Sequence, residues 1–134
     1  MKSEEYLYIL ALKQCKNIGN INLKNLIKHI GSAKSVWQSS PKALISISGI
    51  GKSSIQNIGN KDLLLSAEKE MKFSEKHGIH IISQEDHLYP KHLLNCDDAP
   101  MILFYKGNLN HDCNPVSIVG TRKMTAYGKN FIQD

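Results

Sequence analysis

A glycine-rich turn followed by a lysine brings together residue types that bind phosphate. Gly49, Ile50 and Gly51 form the turn, and Lys52 comes directly after it. Glycines let the backbone approach a phosphate closely, and the amides that start the next helix can point toward it. The pattern is typical of a helix-hairpin-helix, which binds the nucleic-acid backbone without reading bases. The alternative is a tight turn between packed helices, with Ile50 buried among them.

A weaker copy of this turn lies thirty-two residues earlier. Asn17, Ile18 and Gly19 stand where the later copy has Gly-Ile-Gly, and both copies separate segments with a helical pattern. A glycine is expected at the position of Asn17. Two alternatives therefore stay open: only the second copy binds DNA, or neither does.

An apolar run late in the chain leads into a second phosphate-binding pattern. Residues 116–119 predict a strand, and Gly120, Thr121 and Arg122 follow it before a helix predicted from Thr125 onward. In such a βα turn the glycine allows close approach, the threonine and the helix amides donate to an anion, and the arginine binds a phosphate with two hydrogen bonds. The alternative is that Arg122 is a surface residue at the end of a strand. The pattern is not Gly-x-Gly-x-x-Gly, so it does not predict a dinucleotide cofactor.

Other kinds of site are poorly supported by the spacing. A P-loop needs a glycine where the chain has Ser46, and a strand where the sequence predicts helices. The three cysteines include no Cys-x-x-Cys pair and form no disulfide framework, so we expect reduced thiols. We also expect no metal site, because the possible ligands are spaced unlike a standard zinc signature. Those residues are His87, His92, Cys96, His111 and Cys113.

The charge is distributed unevenly along the chain. The net charge is +5, but no acidic residue lies between Glu5 and Asp62. Eight lysines fall in that window, while the rest of the chain has nine basic and twelve acidic residues, a net charge of −3. Lysines along one surface gain affinity for a polyanion by releasing its counterions, so a nucleic-acid partner is one interpretation. The other is an ordinary solvated face that uses lysine.

The elements that position these residues change type near Gly78. The chain has 134 residues, of which 41% are hydrophobic and 22% charged, so it can bury a core. Apolar spacing and capping residues predict helices over 4–16, 22–30, 32–38, the stretch from Pro41, 52–58 and 61–76. Runs rich in β-branched residues predict strands over 79–82, 101–105 and 116–119. We therefore predict a domain boundary near Gly78.

The sequence predicts neither a membrane span nor a secretion signal. The longest apolar runs, at 7–12 and 101–105, are far shorter than the roughly 20 residues that cross a bilayer. The N-terminus has Glu4 and Glu5 where a signal peptide has basic residues. We expect a cytoplasmic protein.

Three motifs, in this order and spacing, resemble the DNA-processing protein A family (DprA, also called Smf). They are Tyr89-Pro90-x-x-Leu93, the stretch Asp-Ala-Pro-Met-Ile-Leu-Phe-Tyr-Lys-Gly-Asn at 98–108, and Ile118-Val119-Gly120-Thr121-Arg122 with Thr125-x-Tyr127-Gly128. The helical first part, with its Gly-Ile-Gly turn, is similar to that family's N-terminal sterile-alpha-motif-like (SAM-like) region, which contains a helix-hairpin-helix. The resemblance covers essentially the whole chain.

This resemblance implies an α then α/β fold. Residues 1–78 would form a SAM-like, helix-hairpin-helix domain, and residues 79–134 the first part of an extended Rossmann-like DNA-binding domain. Family members continue far beyond this length, so the sheet would be incomplete and the chain is expected to be a fragment.

The resemblance also implies a function. It suggests a protein of natural transformation that binds single-stranded DNA, protects it and assists loading of the RecA recombinase. Such a protein is not an enzyme, needs no cofactor and forms a homodimer at full length. The implied DNA-binding residues are Gly120, Thr121 and Arg122, continued by Thr125, Tyr127 and Gly128, and the hairpin adds Gly49, Gly51 and Lys52. The rival hypothesis is a helical protein-interaction module that binds no nucleic acid.

Overall fold

A computed structural model describes residues 2–109, 116 and 119–133 of the chain. Its first part is helical, as the apolar spacing predicts. The helices are α1 (Lys2–Lys13), α2 (Asn20–Ile30), α3 (Ala33–Gln38), α4 (Pro41–Ile45), α5 (Lys52–Ile55) and α6 (Lys61–Lys76). α5 is shorter than predicted because the chain turns after it, through Gly59 with a φ of +86°.

Serine side chains fix where two of these helices begin. The Ser32 hydroxyl accepts a hydrogen bond from the Ser35 amide at the start of α3 (3.0 Å), and the Ser40 hydroxyl accepts one from the Ala43 amide at the start of α4 (3.4 Å). Pro41 occupies the first position of α4, where its missing N–H costs nothing. Each cap satisfies an amide that has no partner within the helix, which is typically worth ~1 kcal/mol.

The helices pack around an apolar core that the sheet helps to close. α1 lies against both α3 and α6. The core includes side chains that are less than 2% exposed, namely Leu12, Leu23, Leu26, Val36, Leu44 and Ile102. Ile102 comes from the second strand of the sheet, so residues beyond Gly78 contribute to the core of the helical part.

Two strands form an antiparallel pair. They are β1 (His80–Ser83) and β2 (Ile102–Tyr105), and they lie within one residue of the runs predicted as strands. The register places His80 opposite Tyr105 and Ser83 opposite Ile102. The structure thus confirms helices followed by a mixed α/β part.

The last described segment contains the helix expected after Thr125. This helix is α7 (Ala126–Gln133). The strand predicted over 116–119 falls partly outside the described residues, since 117 and 118 are not among them. Val116 and Val119 have no strand assignment and are 86% and 92% exposed. None of the helices within 2–109 and 119–133 is long and apolar enough to cross a bilayer.

The loop between the two strands is held by the Tyr-Pro motif. Tyr89 is 2% exposed, and its hydroxyl donates to the Pro100 carbonyl oxygen (2.6 Å). The side-chain amide of Gln84 donates to the same carbonyl and to that of Ala99, both at 3.0 Å. Burial raises the pKa of Tyr89 above its usual value, which keeps the donor protonated. The first resemblance motif therefore has a structural role in this chain.

Hydrogen bonds also cross the predicted boundary at Gly78. The Tyr6 hydroxyl on α1 donates to the Asp86 carboxylate (2.6 Å), and the same carboxylate oxygen accepts from the Ser83 amide (2.7 Å). Lys24 on α2 donates to the Asp97 carbonyl oxygen (2.9 Å). Residues on both sides of the boundary thus share bonds as well as a core, and the division at Gly78 stays a prediction.

Candidate nucleic-acid interface

The two hairpin turns have the same backbone shape. Asn17 and Gly49 both have positive φ angles, 65° and 84°, and each is followed by an isoleucine that is 6% exposed. Asparagine tolerates this left-handed conformation better than other non-glycine residues, so Asn17 can replace the expected glycine. Gly19 and Gly51 then precede α2 and α5 in an extended conformation.

The similarity extends to the flanking residues, with a constant offset of thirty-two positions. Equivalent buried pairs are Leu12 and Leu44, Cys15 and Ile47, Ile18 and Ile50, and Leu23 and Ile55. The Ile18 amide donates to the carbonyl oxygen of Cys15 (3.2 Å), and the Ile50 amide donates to the carbonyl oxygen of Ile47 (3.1 Å). The structure therefore supports a repeated hairpin, of which the sequence shows only a weak trace.

The two turns contact each other directly. The Ser54 hydroxyl on α5 donates to the Asn17 carbonyl oxygen (3.3 Å), and the Asn25 side chain on α2 donates to the Ser48 carbonyl oxygen (3.3 Å). Each hairpin thus supplies one donor to the turn of the other. This exchange holds the two turns side by side, so a ligand that reaches one can reach its neighbour.

Most of the lysines in the acid-free window are available to an anion. Six are exposed and have no ion pair among the described residues: Lys13, Lys16, Lys28, Lys42, Lys52 and Lys61. The other two are engaged within the fold. Lys34 pairs with Glu4 (2.6 Å), and Lys24 donates to backbone carbonyls of the loop before β2. The Lys34 hydrogen bond holds the pKa of Glu4 below its usual value.

The second candidate segment is the turn before α7. The residues from Gly120 to Thr125 are all exposed, and Arg122 has no ion pair within the part of the chain described. The Thr121 hydroxyl donates to the Lys123 carbonyl oxygen (2.7 Å), which closes a tight local turn. No neighbouring atom lies within 4 Å of the position that a Cβ on Gly120 would take, so nothing inside the described fold requires glycine there.

Thr125 and Gly128 act together at the start of α7. The Thr125 hydroxyl accepts a hydrogen bond from the Gly128 amide (3.2 Å), the arrangement of a helix N-cap. This satisfies one of the amides that have no partner within the helix. Tyr127 is 80% exposed in the first turn. The side-chain hydrogen bonds of Thr121 and Thr125 are both local, and the role of the segment in binding DNA stays a prediction.

The alternative sites find no support among the described residues. The segment before Lys52 is the helix α4 and not the strand that a P-loop requires. No three His, Cys, Asp or Glu side chains within the described ranges come together as metal ligands, and His111 and Cys113 lie outside those ranges. Cys15 is buried, and burial raises the pKa of its thiol to about 11.

Sequence reasoning missed a contact between α1 and the start of α3. The Glu5 carboxylate accepts a hydrogen bond from the Ala33 amide at the start of α3, across 28 positions in the chain. The sequence shows two adjacent acids near the N-terminus and gives no sign of this partner. Glu5 therefore acts as a distant N-cap that orients α3 against α1.

Comparisons with known proteins add a family context to this geometry. Residues 80–134 match the family model described as DNA recombination-mediator protein A. The match begins at the first residue of β1 and includes the turn before α7. It therefore covers the segment that contains Gly120, Thr121 and Arg122.

A curated relative extends the similarity to the helical part. Over 136 aligned residues the chain is 29% identical to Protein Smf of Synechocystis sp.. The alignment includes 98% of this chain but only 34% of that protein. The chain thus spans about a third of the length of the curated relative that it matches.

Proposed function

The two matches support assignment of the chain to the DprA/Smf family, and from that premise we propose that it is a DNA-binding part of a recombination mediator. The ligand proposed is single-stranded DNA. A single strand is held by positive charge and backbone contacts, with little dependence on sequence. Exposed lysines and exposed helix-start amides are groups of that kind.

The observation that carries this proposal is the exposed Arg122 in the turn before α7. A guanidinium close in sequence to a helix start could offer a phosphate two kinds of donor, its own N–H groups and the backbone amides of the helix. Gly120 and Thr121 would admit the phosphate, while Thr125 and Gly128 hold the helix start in shape. Tyr127, with most of its ring exposed, would offer a surface on which a base can stack.

The paired hairpin turns are proposed as a second contact with the DNA backbone. Gly49, Gly51 and Lys52 form one turn, and the equivalent turn at 17–19 lies against it through the Ser54 bond. Exposed lysines near both turns would provide charge without reading bases. Because the two backbones match, we propose that both copies take part.

The wider activity is proposed for a whole protein of the relative's length, of which this chain spans about a third. That activity is protection of incoming single-stranded DNA and assistance in loading RecA, without catalysis and with a homodimer as the active form. Residues 1–78 would be its SAM-like, helix-hairpin-helix part, and residues 79–134 the start of a Rossmann-like part.

A titration of a fluorescein-labelled oligothymidine with the 134-residue chain tests the DNA proposal. Fluorescence anisotropy would be measured over a series of NaCl concentrations and repeated with a mixed-sequence strand. We expect the dissociation constant to rise steeply with salt and to be similar for both strands, because phosphate contacts dominate. Absence of binding at low salt would favour the rival function, a helical module that docks proteins.

A further inference from the structure

A groove with an apolar floor runs between α1, α6 and β1. Its volume is about 850 Å³, within the range of roughly 300–1,000 Å³ that is typical of ligand sites. Leu7, Met71, Ile79 and Ile81 line the floor, and each is only partly buried. Since Leu7, Met71 and Ile81 already rest on the core, an occupant would gain apolar contact without rearranging the fold.

The rim of the groove is acidic, although the chain as a whole is basic. Glu68 and Glu75 lie seven residues apart on α6, so they share one face of that helix, and neither has an ion pair among the described residues. Lys72 is the rim lysine between them. Glu4 also lines the groove, where Lys34 neutralises it. With Lys72 counted against Glu68 and Glu75, the rim has a net charge of −1, in contrast to the net charge of +5 for the chain.

We propose that this groove binds a basic, amphipathic peptide segment of a partner protein. Apolar side chains of the segment would lie on the floor formed by Leu7, Met71 and Ile81, and its lysines or arginines would face Glu68 and Glu75. A nucleic acid does not fit this site, because its phosphates would meet the unpaired carboxylates. The groove shares no residue with the hairpin turns or the α7 turn, and the proposal does not depend on DNA binding.

The test uses a short fluorescein-labelled peptide of alternating leucine and lysine. We expect it to bind the 134-residue chain, while the same peptide with glutamate in place of lysine does not bind. The double variant Glu68→Lys with Glu75→Lys should weaken binding about tenfold, because two attractive pairs of moderate strength become repulsive. Glu70→Lys is the matched control: it lies on α6 but outside the groove, and it should change the affinity less than about twofold.

Amide shifts in a two-dimensional NMR spectrum locate the bound peptide without any substitution. We expect the largest shifts at Leu7, Ile79 and Ile81, with little change at the exposed Ile45 of α4, which does not line the groove. An equal loss of affinity in the Glu70 variant would overturn the proposal. So would shifts away from the groove, displacement of the peptide by oligothymidine, or self-association of the chain that the double variant abolishes.

Discussion

The Ser54 hydroxyl donates to the carbonyl oxygen of Asn17 across 3.3 Å, and this bond between residues 37 positions apart joins the two turns. Ser54 is 6% exposed, so water does not easily replace this bond. The Asn17 carbonyl also accepts from the Asn22 side chain (3.2 Å). The Asn17 carbonyl oxygen therefore accepts one hydrogen bond from within the first hairpin and one from the second.

We expect Ser54→Ala to lower the free energy of unfolding by about 0.5–1.5 kcal/mol, the usual net value of one hydrogen bond. Urea denaturation followed by circular dichroism would measure the change. The neighbouring Ser53 is exposed, and Ser53→Ala should stay within about 0.5 kcal/mol of the wild type. Equal effects of the two substitutions would show that the bond between the turns is not what stabilises the pair.

Gly49 has a φ of +84°, so the stability of variants at this position should depend on how well the new residue adopts the left-handed conformation. Gly49→Ala should cost about 1–2 kcal/mol of stability, because a Cβ disfavours the left-handed region. The position has room for a side chain, with Asn25 Nδ2 at 3.9 Å as the nearest atom to an added Cβ. Gly49→Asn should therefore cost less than Gly49→Ala, as the residue at the equivalent Asn17 suggests.

Gly51→Ser is the control for this comparison, since Gly51 precedes α5 with a φ of −93° that any residue adopts. We expect it to be neutral within about 0.5 kcal/mol, because serine is also a good N-cap. Thermal melts of Gly49→Ala, Gly49→Asn and Gly51→Ser would measure the three changes in stability. Equal costs for alanine and asparagine at position 49 would contradict the backbone explanation.

Arg122→Ala should weaken binding to oligothymidine much more than Lys123→Ala, although both remove one positive charge from the same exposed turn. A phosphate contact by a guanidinium is typically worth about 1.5–3 kcal/mol, or roughly tenfold to a hundredfold in affinity. Arg122→Lys should restore part of the loss, because an ammonium cannot form the paired hydrogen bonds. Anisotropy titrations at several salt concentrations measure these affinities.

The melting temperature separates the two interpretations of Arg122. We expect it to be nearly unchanged in the alanine variant, since the side chain is exposed. Unchanged DNA affinity in that variant would refute the phosphate contact. A large drop in melting temperature would instead mean that Arg122 holds the turn together as a structural residue.

Glu5 and Glu4 form a natural pair for testing the distant cap of α3. Glu5→Gln should lower the free energy of unfolding by about 1 kcal/mol, because the Ala33 amide loses a charged acceptor. Glu4→Gln removes only an exposed ion pair with Lys34, so its effect should be smaller. Urea denaturation measures both. A larger effect at Glu4 would contradict the capping role of Glu5.

The raised pKa of Cys15, about 11, predicts low thiol reactivity. At pH 8 only about one thiol in a thousand would be ionised, and the thiolate is the reactive form. A variant with Cys96→Ala and Cys113→Ala should therefore consume almost no Ellman's reagent while folded and one equivalent after denaturation. Rapid reaction of the folded variant would show that Cys15 is accessible.

The sequence was a good guide to local structure. Apolar spacing and capping residues predict the helices of the first part, and Ser32 and Ser40 cap two of them in the structure. Such signals act within a few residues and are visible in the chain itself. The end of α5 at Ile55 was missed because the turn at Gly59 competes with the helix.

Contacts between residues far apart in the chain could not be predicted from the sequence. Nothing in it pairs Glu5 with Ala33 or Ser54 with Asn17, since these bonds depend on how the helices pack. The antiparallel direction of β1 and β2 also follows from the loop held by Tyr89, which the strand patterns do not reveal. For the candidate site, the sequence identifies residue types at Gly120 and Arg122, and their role in binding DNA stays a prediction.

The Asp86 carboxylate binds a backbone amide at the edge of β1. The backbone amide of Gln84 donates to the Met101 carbonyl oxygen (3.2 Å). Alternate residues of an antiparallel pair form the hydrogen bonds, so the even-numbered residues of β1 bond to β2. The backbone amide of Ser83 therefore points to the opposite edge of β1. An unpaired amide at a sheet edge can form a hydrogen bond with a strand of another chain, which can start aggregation. Because Asp86 already accepts from Ser83, that position is occupied by a side chain. Among the described residues β1 pairs only with β2, and Asp86 protects one end of its other edge from unwanted strand addition.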